Sequence, residues 1–257
     1  MKVHVLQNMG MSSDCEIIQV VGGCSAFSRE GTDRAKDFLR AQISPNCAIL
    51  YGYTGTKEQN GAMCDVNAAV ADVAEELNML DQTIANVVGF DTPRALTEWG
   101  SLGAALEHFV IVYGDDESSE VTGTLFGDDV ITSDFFADKL LMLDGGVQSF
   151  RQACHALLLN QKIIALSGVK AEGKSTYFIA VQFLKQLAQD LLESGTADPE
   201  EYLKQWFLNY FRDGKCYVCD PNKRTFATKQ KQLEAAWDLF LREKLYLKID
   251  ELITFSA

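Results

Sequence analysis

Four short apolar runs in this chain close on glycine, and that punctuation constrains the fold more than any other feature. Glu16–Val21 ends in Gly22-Gly23, Cys47–Tyr51 in Gly52-Tyr-Thr-Gly55, Lys139–Leu143 passes through Asp144 into Gly145-Gly146, and Lys162–Ser167 ends in Gly168. Runs this short and continuous have the length and character of strands buried on both faces. Helical periodicity lies between them. Thr32–Ala41 reads as a helix with Thr32 placed to cap it, Ala62–Leu80 repeats apolar residues at Ala62, Val66, Ala69, Val73 and Leu77, and Gln148–Asn160 follows the third run. Thr83–Gly89 and His108–Tyr113 supply two further strands. Strand, glycine turn, helix and strand in alternation predict an α/β fold, a Rossmann-like parallel sheet with helices on both faces.

The character changes near Ser175. Tyr177–Glu193 carries Phe178, Val181, Leu184, Leu187 and Leu191 at helical intervals, and Pro199–Phe211 is a second amphipathic helix opened by its proline. Cys216–Phe226 reads as a small hairpin around Asp220-Pro-Asn, and a last helix spans Lys229–Leu247. The expected organisation is a sheet domain over residues 1–175 and a helical extension with a small hairpin over 176–257, packed on the first.

Charge narrows the partners. The 257 residues hold 36 Asp and Glu against 23 Lys and Arg, a formal net charge of -13. Almost the whole excess falls in residues 1–175, the part that holds the glycine turns. Such a surface repels nucleic acid and anionic membrane, so an anionic ligand must be small and held by backbone amides and a few placed cations. No uncharged apolar run reaches the length of about 18 residues that spans a bilayer, and the N-terminus has no signal-type apolar stretch. The seven cysteines are odd in number and lie mostly among apolar residues, a reduced pattern. A cytoplasmic protein is expected. Cys216-x-x-Cys219 lacks a second pair and a nearby His, so no metal site is expected there.

In an open parallel sheet the ligand lies outside the carboxyl ends of the strands, where glycine lets backbone N–H groups approach a phosphate at a helix N-terminus. The order and spacing of these parts over residues 16–175 resembles the superfamily of lonely-guy phosphoribohydrolases and DNA-processing-A proteins. In the lonely-guy enzymes the late turn reads Pro-Gly-Gly-x-Gly-Thr-x-x-Glu. Here Gly145 and Gly146 match, Ser149 stands for the Thr, Gln148 replaces the third glycine, and Gln152 occupies the Glu position. The resemblance implies a nucleotide-derived small-molecule ligand, with Gly22, Gly23, Gly52, Thr54, Gly55, Gly145, Gly146 and Ser149 at its phosphate. It also implies a homodimer, for which the apolar Ala62–Leu80 helix offers surface. An amide at 152 cannot serve as general base or stabilise an oxocarbenium ion as a carboxylate does, so a sensor or carrier is expected in which Gln152 reads the ligand without cleaving it. The enzymatic alternative, a nucleoside-monophosphate glycosidic hydrolase, needs a substitute carboxylate such as Glu58 or Glu98. Arg94, in Gly89-Phe-Asp-Thr-Pro-Arg94 after a strand end, is the best placed cation, whereas Arg29 and Arg34 read as surface salt-bridge residues.

Gly168-Val-Lys-Ala-Glu-Gly-Lys-Ser175 also fits the phosphate-binding pattern G-x-x-x-x-G-K-[ST] and follows a strand. As a P-loop NTPase site it would place Lys174 on the β- and γ-phosphates and Ser175 on Mg²⁺. Chain order opposes this, because that loop normally follows a first strand and few strands remain after it. Gly173, Lys174 and Ser175 then read as one more polar helix start at the same crevice. Asp128, Asp129, Asp134 and Asp138 read as a solvated helix entry and His155 as a packed core residue, while Trp206, Phe207, Tyr210 and Phe211, crowded on one helix, leave open a third alternative, an interaction module whose helical tail docks a partner.

Overall fold

A computed structural model of the chain describes residues 2–22, 27–52, 58–59, 62–63, 66–89, 109–113, 137–169, 178–212 and 226–256. The strands are β1 (Glu16–Gly22), β2 (Cys47–Gly52), β3 (Glu58–Gln59), β4 (Ala62–Met63), β5 (Thr83–Gly89), β6 (Phe109–Tyr113), β7 (Lys139–Leu143), β8 (Lys162–Leu166) and β9 (Ile253–Ser256). The helices are α1 (Lys2–Asn8), α2 (Arg29–Gln42), α3 (Val66–Glu76), α4 (Val147–Leu158), α5 (Ala180–Ser194), α6 (Pro199–Arg212), α7 (Phe226–Arg242) and α8 (Ile249–Leu252). Seven strands form one sheet in the order β6-β5-β2-β1-β7-β8-β9, every neighbouring pair parallel. β3 and β4 make a separate two-residue antiparallel pair. The fold is Rossmann-like α/β, with a C-terminal helical extension.

Alternation along β1 builds the layers. Ile18 and Val20 face the side chains of α2 and α3, among them Ala35, Phe38, Leu39, Val70 and Val73. Val21 turns to the opposite face, where α4, α5, α6 and α7 pack over Leu140, Met142, Ile163 and Ala165. α2 is capped by Ser28, whose Oγ accepts from Gly31 N at 2.8 Å, and not by Thr32. Thr32 lies inside the first turn and its hydroxyl donates back to Ser28 O at 2.9 Å. The long helix expected over Ala62–Leu80 is shorter, because Ala62-Met63 pairs with Glu58-Gln59 and the chain leaves the helix at Asn78, which takes a left-handed φ of 55°. Its apolar residues Val66, Ala69, Val70 and Val73 are buried against their own sheet, while Leu77 stays 40% exposed. The hairpin expected at Cys216–Phe226 lies outside the described residues, except that Phe226 opens α7.

β9 has no counterpart in the sequence reading. Ile253-Thr-Phe-Ser256 is too short to stand out by pattern, yet it pairs with β8 from Ile163↔Ile253 to Leu166↔Ser256 and carries the end of the chain back into the sheet. Among the described residues no helix is long and apolar enough to cross a membrane.

The extension is fastened by aromatic packing. Phe183 of α5 lies 5.1 Å from Phe150 of α4, 5.0 Å from Phe178, and 5.1 Å from both Trp206 and Tyr210 of α6, ring centre to ring centre. Phe207 stacks on Trp237 of α7 at 4.6 Å, and Trp206 Nε1 donates to Asp190 Oδ2 at 2.5 Å. The aromatic residues of α6, for which docking a partner was an open alternative, therefore pack inside their own chain. Aromatic pairs of this geometry contribute beyond the area they bury. Phe183→Ala should destabilise the protein by about 3–5 kcal/mol. The urea midpoint falls accordingly with an unchanged m-value, while Leu208→Ala, at a side chain 49% exposed, leaves it in place.

Candidate functional site

The strand order reverses between β1 and β7. From β1 the chain builds outward through β2, β5 and β6, then returns to lay β7 against the other side of β1 and continues to β8 and β9. Folds of this topology bind ligands outside the carboxyl ends of the strands that flank such a reversal, here β1 and β7. Gly22 is the last residue of β1 and pairs with Leu143, the last of β7. A Cβ at position 22 would stand 2.5 Å from Leu143 O and 3.0 Å from Val66 Cβ, so only glycine lets the strand ends close on α3.

Beyond Leu143 the chain takes two left-handed residues, Asp144 (φ 53°) and Gly145 (φ 86°), before Gly146 starts α4. Gly145 has no room for a side chain, because a Cβ there would run into Ser149. Ser149 is 2% exposed and its hydroxyl donates to Gly22 O at 3.4 Å, bringing α4 onto the end of β1. Gly146 offers no side chain to cap the helix. The first intrahelical bond is Phe150 N to Gly146 O at 3.1 Å, so the first-turn N–H groups of Val147, Gln148 and Ser149 lie at the crevice end of α4. Together with the helix dipole they favour an anion.

Asp144 organises this end of the sheet. It is 1% exposed, and its Oδ1 accepts from Gly168 N at 2.8 Å while Oδ2 accepts from Val169 N at 2.9 Å. Its own N–H donates to Leu166 O at 2.8 Å, and its carbonyl accepts from Val181 N at 3.3 Å. Gly145 O accepts from Ala180 N at 2.9 Å. The turn after β7 is thus tied both to the turn after β8 and to the start of α5. From the other layer Ser28 N donates to Val169 O at 3.1 Å, and Arg34 donates through its two Nη atoms to Ser167 O and Gly168 O at 3.2 Å each. Arg34, expected to make a surface salt bridge, instead holds two carbonyls that the departing strand leaves unpaired.

Of the residues expected at the ligand, the fold brings Gly22, Gly145, Gly146 and Ser149 together, and sets Gly52 at the end of β2, next to β1 in the sheet. Gln152 lies half-buried one turn into α4. Gly23, Thr54, Gly55, Arg94, Glu98, Gly173, Lys174 and Ser175 lie outside the described residues, and Glu58 falls on β3. The N–H groups of Gly168 and Val169, which open the phosphate-loop pattern, are bound by Asp144, and α5 begins only at Ala180. Sequence reasoning missed Asp144, Arg34 and Ser28 as organisers. An acidic residue between a buried strand and a Gly-Gly turn was the available signal for the first.

The remaining groups have structural places. Asp138 pairs with Lys2 at 2.5 Å and accepts from Ile17 N at 2.8 Å; Asp128, Asp129 and Asp134 lie outside the described residues. His155 is buried on α4. Cys154 is fully buried beside it, and burial pushes its thiol well above the usual range. Cys15, Cys47 and Cys154 are free thiols, and among the described residues no group of three or more His, Cys, Asp or Glu could hold a metal ion.

No protein-family model and no curated protein matches this chain. Solved structures similar to it include the molybdenum cofactor carrier protein of Chlamydomonas reinhardtii, at 13% identity and a TM-score of 0.40, covering 76% of this chain and 99% of that one.

Two substitutions test how the site is built. Asp144→Ala leaves the N–H groups of Gly168 and the buried Val169 without their acceptor and should destabilise the protein by about 1–3 kcal/mol in urea unfolding, more than Asp144→Asn, which keeps one acceptor and tolerates the left-handed backbone. Gly22→Ala forces a Cβ against a backbone carbonyl and should cost about 1–3 kcal/mol, read as a lower melting temperature.

Proposed function

We propose that this chain binds a nucleotide-derived small molecule at the crevice between β1 and β7, as a sensor or carrier. The observation that carries the reading is the uncapped start of α4 at the topological switch point, closed against Gly22 by Ser149. In this reading a phosphate lies against Gly145, Gly146, Ser149 and the end of β1 at Gly22, with Gly23, Gly52, Thr54 and Gly55 completing the contact. Gly173, Lys174 and Ser175, which follow the loop anchored at Val169, and Arg94 add N–H groups and positive charge. The resemblance to the lonely-guy superfamily supports a nucleotide over other phosphates, and Gln152 in place of its Glu favours binding over glycosidic cleavage.

The P-loop NTPase alternative is weakened by Asp144. Its carboxylate occupies the two N–H groups that open that loop, and a carboxylate beside a triphosphate would repel it. Mg²⁺ is therefore not required for binding in this reading. Nor is nucleic acid a partner, given the net charge of -13.

Titration calorimetry against AMP, ADP-ribose and cyclic nucleotides, with and without Mg²⁺, tests the proposal. Binding of at least one of them without Mg²⁺ is the expected result, together with no free adenine after prolonged incubation with AMP. Binding of none would overturn it. Release of adenine, raised further by Gln152→Glu, would establish the hydrolase instead.

A further inference from the structure

We draw no further inference here: the strongest candidate, the groove between the end of α5 and the start of α6 lined by Asp190, Glu193, Thr196 and Tyr202, is an acidic cluster whose Asp190 carboxylate is already engaged by Gln186 and Trp206, and nothing in the structure shows what would occupy it.

Discussion

The carboxylate of Asp144 is the contact on which the carboxyl end of the sheet depends. Strands β7 and β8 run side by side and end together, and each must release its chain in a different direction, β7 into α4 and β8 toward α5. At such a point the ladder stops and backbone N–H groups lose their partners. One side chain takes up two of them, at Gly168 and Val169, with charge-assisted bonds of 2.8 and 2.9 Å. A buried carboxylate is tolerable only when its oxygens are paired, and a buried N–H only when it has an acceptor, so each group answers the need of the other. The backbone of the same residue adds bonds to Leu166 and Val181. The left-handed φ that permits all four is one that Asp accepts more readily than most residues.

What lies far from the crevice holds it in place. α4 carries its first-turn N–H groups to the candidate site, but its orientation is set at its other end and along its buried face. Phe150 packs on Phe178 and Phe183, Cys154 Sγ lies 3.7 Å from Ala236 O of α7, and Lys248 Nζ donates to Leu157 O at 2.8 Å. Those partners belong to the helical extension and to the segment that feeds β9. Extension and sheet thus share one apolar cluster, and the extension acts on the site by fixing the helix that presents it.

Much of this was legible in the sequence because the governing signals are local. Continuous apolar runs marked β1, β2, β5, β7 and β8 nearly to the residue, since a strand buried on both faces leaves no room for alternation. The glycines at 22 and 145 announced close approach and an unusual turn. What stayed hidden depends on contacts distant in sequence. Arg34 looks like any charge on an exposed helix until the fold brings Ser167 and Gly168 to it. The aromatic residues of α6 look like a docking face until α5 and α7 cover them, and β9 is a strand only because β8 offers it an edge. Ser28, and not Thr32, caps α2, at a position where its N–H also donates to Val169 O, a contact between distant residues that no local pattern records.

The charge balance bears on how such a site works. An excess of 13 negative charges acts against any anion approaching from solution, and exposed charges beyond about 10 Å are screened at moderate salt. Backbone N–H groups at a helix start are not screened in that way, because they meet the ligand at contact distance and carry no counter-ion to be displaced. A site of this kind holds a compact phosphate against an unfavourable field, while a polymer of phosphates, which must lie along the acidic surface, gains the same few contacts and meets the repulsion at every step. In the proposed function the acidic surface then acts as a filter on ligand size, with the amides at the end of β7 as the receptor.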